Sequence, residues 1–174
     1  MVLYFRLLWV CLRLVFCPKR LSWPTGVSVI HSKIWPNDLD LNLHVNNSRY
    51  LTIMDLGRFD LAVRALGLKQ VLQKRWSPVV GTLHIRFFKP LGLFQKYQLK
   101  TRVLGWDVKW FYLEQVFEFK GEVTTSAVLK ILFMGPNGKV PSRLFLESVG
   151  SVRRSPQLSV DVRRWLKSDS RKKK

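Results

Sequence analysis

Between Ser48 and Leu66 the apolar residues recur at helical spacing, on two adjoining stripes rather than one. Tyr50, Ile53, Met54, Gly57, Leu61 and Ala65 make the first stripe, and Leu56, Phe59, Val63 and Leu66 the second. A helix patterned in this way has little polar surface and must be covered on most sides. Asn46 or Asn47 can cap it, because a short amide oxygen accepts a free N–H of the first turn, and Gly67 can end it. From Val79 onward the period changes to two. Val79, Gly81, Leu83, Ile85 and Phe87 form one alternating set, and Tyr97, Leu99, Thr101 and Val103 the next. Phe111 to Phe119 and Thr124 to Met134 continue the pattern, with breaks at Pro90–Gly92, Lys120–Gly121 and Pro136–Gly138. Val27 to Trp35 reads as a strand ahead of the helix, and Asn37 to Asn47 as a polar loop. Short turns imply antiparallel neighbours. A curved antiparallel sheet wrapped around one long central helix meets all these demands, which places the chain in the α+β class. Leu144 to Leu166 has weak helical character and no clear register.

The 174 residues suit one domain with short tails. We divide them into an apolar N-terminal segment, residues 1–21, a domain over 26–150, and a basic extension over 151–174. At 47% apolar residues the chain can bury a core without metal or disulfide support. Cys11 and Cys17 both lie in the N-terminal segment, and His31, His44 and His84 are scattered, so neither a structural zinc nor a disulfide framework is expected.

The formal net charge of +19 favours anionic partners. The run Arg171 to Lys174 reads as a solvated tail. In the segment Val2 to Phe16, too short to span a bilayer, Arg6 and Arg13 share one helical face. That pattern fits a helix in a membrane interface with snorkelling arginines. A helix packed on the domain or on a partner is the other reading, and a cleaved signal a third, for which Phe16-Cys17-Pro18 is a poor site. The expected location is cytoplasmic, with peripheral membrane contact through residues 1–20. Trp106 and Trp110 beside Lys109 resemble a base-stacking platform, but no RNA-binding signature accompanies them, and a nucleic-acid partner is set aside.

The dense polar cluster is DLDLNLHVNN, Asp38 to Asn47. In an extended segment its alternation puts Asp38, Asp40, Asn42, His44 and Asn46 on one side, while Leu39, Leu41, Leu43 and Val45 anchor the other in the core. A helix N-terminus follows, whose free N–H groups can stabilise a developing oxyanion. DLDLNLHVNNSRYL resembles the D-x-N-x-H-V-N-N-x-x-Y signature of hotdog-fold thioesterases of the acyl-carrier-protein and 4-hydroxybenzoyl-CoA kinds, with Asp40 ten residues before Tyr50. HIRFFKPLGLFQKYQLKTRVLGWD and LGWDVKWFYLEQVF extend the resemblance toward a membrane-anchored, thioesterase-like branch.

The resemblance implies a hotdog fold, a homodimer or higher homo-oligomer, and hydrolysis of acyl-CoA or acyl-carrier-protein thioesters in fatty acid metabolism. Coenzyme A or the carrier would enter as part of the substrate, with no separate cofactor and no metal. Asp40 would be general base or nucleophile, with Asn42 and His44 orienting water or polarising the carbonyl. Asn47, Ser48 and Tyr50 would contact substrate, the first two through backbone N–H groups, while Arg86 and Lys89 could hold coenzyme A phosphates. Asp55 and Arg58 match an acid and an arginine often present on that family's helix and read first as a structural pair or an interface. Beside these stand plainer readings: Asp38 and Asp40 as turn caps, His44 as a structural histidine, Asn46 and Asn47 as caps, and Arg86 and Lys89 as a solvated strand edge. The alternative function is a non-enzymatic hotdog protein that binds acyl groups or a partner at a membrane.

Overall fold

The computed structural model describes residues 2–16, 19–150 and 154–171. Helix α1 (Val2–Phe16) leads into strand β1 (Val27–Lys33), a 3-10 turn (Pro36–Asp38) and helix α2 (Asn47–Leu66). After α3 (Leu68–Lys74) come β2 (Ser77–Phe87), β3 (Lys96–Trp106), β4 (Phe111–Phe119), β5 (Glu122–Gly135) and β6 (Gly138–Val140), then α4 (Ser142–Ser148) and α5 (Val160–Arg171). The sheet is antiparallel, in the order β1-β3-β4-β5-β2, with β6 paired to β5. It wraps around α2, and from Leu56 to Leu66 every α2 residue except Phe59 is buried.

Two stripes on one helix thus become a helix covered nearly all round, at the cost of burying charge. Each buried charge on α2 has a partner. Arg58 donates to Asp55 and to Gln115 Oε1 at 2.8 Å, and Gln115 Nε2 in turn donates to Met54 O and Thr101 Oγ1. Asp60 accepts from Ser28 Oγ at 2.5 Å and Arg64 Nε at 2.7 Å. Gly57 lies where α2 comes closest to the sheet: a Cβ there would stand 2.5 Å from Thr101 Oγ1 and 2.7 Å from Gln115 Nε2.

The expectation that short turns join neighbours holds for β3–β4 and β4–β5 and fails for β2–β3. β2 pairs with β5 on one edge of the sheet, and β3 lies next to β1 on the other. The connection around Pro90–Gly92 is therefore a crossover and not a hairpin. Its buried Leu91 is held at both backbone groups, with Leu91 N donating to Tyr50 Oη and Leu91 O accepting from Val45 N. Turn residues alone do not distinguish such a crossing from a hairpin.

Helix α1 packs on the domain. Val10 and Leu14 are buried, and the two arginines point inward rather than to solvent or lipid. Arg13 Nη1 donates to Val29 O and Arg6 Nη2 to Lys33 O, so together they cap outward-facing carbonyls of edge strand β1. This replaces the snorkelling reading, because an unpaired edge strand offers acceptors that a guanidinium fits well. The opposite face of α1, with Tyr4, Phe5, Leu8, Trp9, Leu12 and Phe16, stays exposed. No helix among the described residues is long and apolar enough to cross a membrane. Of Phe16-Cys17-Pro18, read as a poor signal cleavage site, Cys17 and Pro18 lie outside the described residues, as do Lys172–Lys174 of the basic tail. Further back in the C-terminal extension, α5 rests on the sheet: Asp169 accepts from Thr82 Oγ1 and Lys130 Nζ, and Trp165 packs beside His84.

Candidate active site

The polar cluster does not run extended. The chain turns at Asp40–Leu43, where Leu43 N donates to Asp40 O and Asp40 N to His44 O. Leu39 then bridges Val45, and His44 bridges Gly92. Leu43 takes a left-handed backbone, φ 58°. As a result Leu41 and Leu43 are not core anchors but solvent-facing, at 102% and 73% exposure. Val45 alone of the four is buried, and Leu39 is half-buried. A turn breaks the period-two alternation at its corner, and four apolar residues in a row of alternating pattern gave no sign of it.

The two acids of the loop have separate environments. Asp38 is 2% exposed. Its carboxylate accepts from Arg6 Nη1 at 2.9 Å, Arg6 Nη2 at 2.5 Å and Trp35 N at 2.9 Å. Burial works against the Arg6 charge, yet the bonds to Asp38 hold the guanidinium above its usual pKa. Asp40 is half-buried, with Oδ1 accepting from Asn42 N at 2.8 Å and Oδ2 in no hydrogen bond among the described residues. Asn42 and His44 side chains are exposed on the same turn.

Asn46 caps α2: its Oδ1 accepts from Ser48 N at 2.9 Å and from Ser48 Oγ at 2.6 Å. The Ser48 N–H is thereby occupied, whereas the Asn47 N–H has no partner outside the helix among the described residues. Tyr50 is buried between Phe87 and Phe117 and accepts from Leu91 N at 3.2 Å. Burial raises its phenol pKa, partly offset by that backbone bond. The ring therefore fixes the crossover that backs the polar turn. Arg86 is exposed, its guanidinium 5.2 Å from the Phe88 ring centroid. Lys89 pairs with Glu122 at 2.5 Å, which lowers the Glu122 pKa.

A feature that sequence reading missed is a groove of about 260 Å³ between α2 and β2, bordered by Leu51, Thr52, Asp55, Val80 and Leu83. Its signal was present in part: Val79 and Val80 are both apolar in succession on β2, where strict alternation allows only one inside. Asp55 lines it while bonded to Arg58, whose guanidinium is held below its usual pKa by burial, against the pull of Asp55. No group of side chains able to hold a metal ion occurs among the described residues. Trp106 does not form a stacking platform; its ring packs against Trp23 and Phe111 at 6.0 Å and 6.3 Å between centroids.

A family model described as the thioesterase-like superfamily matches residues 34–166, from the end of β1 into α5. The chain belongs to that superfamily. It is 33% identical over 168 residues to the protein THEM6 of Danio rerio, covering 94% of this chain and 80% of that protein. Among solved structures, a probable thioesterase from Escherichia coli superposes with a TM-score of 0.61 at 20% identity, over 70% of this chain and 96% of that one. A gentisyl-coenzyme A thioesterase gives 0.62 at 20% identity, over 70% and 95%. These likenesses establish the hotdog fold, and family and fold together support thioester hydrolysis as the activity.

Proposed function

We propose that the protein hydrolyses acyl-CoA or acyl-carrier-protein thioesters, with Asp40 as general base or nucleophile. The observation that carries this reading is the Asp40 carboxylate itself: one oxygen is fixed by the turn and the other is open, just before the N-terminus of a 20-residue helix. As general base, Asp40 takes a proton from water while the water oxygen bonds to the acyl carbon. The tetrahedral oxyanion is stabilised by the Asn47 N–H and the positive end of the helix dipole. Collapse breaks the C–S bond, and the thiolate leaves and takes up the proton. As nucleophile, Asp40 would instead bond to the acyl carbon and expel the thiolate, giving a mixed anhydride that water then hydrolyses to the free acid and the restored carboxylate. Exposed Asn42 and His44 would orient water or polarise the carbonyl, and Ser48, whose N–H and hydroxyl proton both go to Asn46 Oδ1, would meet water or substrate through Oγ as an acceptor.

The α2–β2 groove would take the acyl chain, and Arg86 with Lys89 the coenzyme A phosphates, Lys89 leaving Glu122 to do so. β2 is an edge strand of 11 residues with exposed Val79, Val80 and Phe87, and exposed Phe88 just beyond it, which a second copy would cover in a homodimer. The exposed apolar face of α1 would hold the protein peripherally at a membrane.

The bond from Asn42 N to Asp40 Oδ1 also favours a second reading, in which Asp40 only caps the turn of a non-catalytic acyl-binding protein. Asp40→Asn separates the two, because asparagine keeps the Oδ1 acceptor but not the carboxylate. Steady-state hydrolysis across a series of acyl-CoA chain lengths should fall by about 10²–10⁴-fold in this variant, at an unchanged thermal midpoint. Equal turnover by both proteins would remove Asp40 from the chemistry.

A further inference from the structure

A cavity of about 800 Å³ lies on the opposite edge of the sheet from β2, between α1 and β1. Phe5 and Trp9 of α1 and Trp35 wall it; Lys33 and Lys96 stand among its lining residues, and Tyr97 is buried beneath. Asp40 does not line it. Three observations at this place point to an anionic ligand. Neither Lys33 nor Lys96 forms an ion pair among the described residues, although Lys33 Nζ sits 4.1 Å from the Trp35 ring centroid. Among the described residues two enclosed polar atoms, Arg6 Nε and Tyr97 Oη, lack a well-formed hydrogen bond, Tyr97 Oη having only Ser32 nearby. The acids nearby are already paired, Asp38 with Arg6 and Glu118, opposite Gln98 in the sheet, with Lys100.

The mouth of the cavity continues into the exposed apolar face of α1, which carries no acidic residue. Aromatic rings beside lysines are the side chains that settle at the head-group level of a bilayer. Fixed along β1 by Arg6 and Arg13, and only about 22 Å long by its rise per residue, α1 can lie in that layer but cannot cross it. We propose that this cavity is a head-group site for an anionic phospholipid of the membrane surface. The phosphate pairs with Lys33 and Lys96, and the acyl chains run along the Phe5–Trp9 face. This rests on the interfacial placement of α1 and is independent of the chemistry assigned to Asp40.

The test is co-sedimentation of the full chain with vesicles of phosphatidylcholine, with and without phosphatidylglycerol. Wild type is compared with Lys33→Gln/Lys96→Gln and with Phe5→Ser/Trp9→Ser, all substitutions outside the hydrophobic core except at the partly enclosed Lys33. Circular dichroism confirms that each is folded, and turnover of a short-chain acyl-CoA is followed separately. Wild type should prefer the anionic vesicles, and added salt should reduce that preference. The lysine variant should lose roughly 30-fold in affinity on anionic vesicles and nothing on neutral ones, from two contacts of the usual strength at such a surface. The Phe5/Trp9 variant should weaken on both. Equal binding of wild type to both vesicles, or an unaffected lysine variant, overturns the head-group site while leaving α1 interfacial. Absence of wild-type binding to either vesicle overturns both. Release from vesicles by free coenzyme A would make the cavity part of the substrate path and overturn the lipid assignment.

Discussion

Two aspartates stand two positions apart in the loop before α2, and a single guanidinium decides their different fates. Arg6 reaches across from α1 and takes both oxygens of Asp38, while Asp40, one turn further, keeps one oxygen open. Removing one partner of such a buried pair strands the other's charge. Arg6→Met is therefore expected to lower the unfolding free energy by about 3–5 kcal/mol, measured by urea titration. Arg6→Met/Asp38→Leu should recover part of that loss, the remainder reflecting the Trp35 N–H left without its acceptor. A single variant as stable as wild type would show that the pair contributes nothing to the fold. Leu43 makes the opposite case. Its side chain is exposed and its backbone is left-handed, so Leu43→Gly removes strain without opening the core. A gain of about 1 kcal/mol in the same titration is the expected outcome.

At the scale of elements, the β3–β4 hairpin is closed by Asp107. Its carboxylate accepts from Lys109 N, Trp110 N and Tyr112 Oη. Burial alone would raise the Asp107 pKa; the bonds from Tyr112, Lys109 and Trp110, together with the Lys130 charge, outweigh it and leave the group below its ordinary value of 3.8. Because the folded value is depressed, the stabilisation is fully present above the ordinary value and is lost as pH falls through the folded one. Urea midpoints taken between pH 5 and about pH 2 should drop less steeply for Asp107→Asn than for wild type, and parallel curves would assign the acid loss to other carboxylates. The strand and helix bounds around this hairpin were legible because alternation and helical stripes report burial directly. Phe111–Phe119 and the α2 stripes fall where the periodicities put them. The Asp40–Leu43 turn was hidden because its apolar and polar residues keep alternating through the corner. α3 went unassigned and α5 showed only as weak helical character within Leu144–Leu166, because neither offers a full apolar stripe; α5 is held by Asp169, Trp165 and the single buried apolar residue Val162.

At the scale of the whole molecule, the sheet has two edges and treats them differently. β1 is closed by arginines from α1, and its flank carries the basic aromatic cavity. β2 is left open over 11 residues, with apolar side chains exposed along it and the acyl-sized groove beside it. An open, apolar edge of that length invites pairing with another strand. A second copy joining there would cover Val80 and Phe88 and would wall the groove that Leu51 and Leu83 leave half-built in one chain. The sequence pattern could show that β2 is a strand but not that it is an edge, because strand order is set by the buried crossover at Leu91, far from any period. Light scattering should then give roughly twice the chain mass of 20.4 kDa. Val80→Lys places a charge on the free edge and should shift the protein to single-chain mass, with thioester turnover falling in step as dimer is lost. If the variant were monomeric and fully active, the groove would be complete within one chain and the second copy unnecessary for catalysis. If wild type were itself monomeric at assay concentrations and active, the open edge would serve another partner.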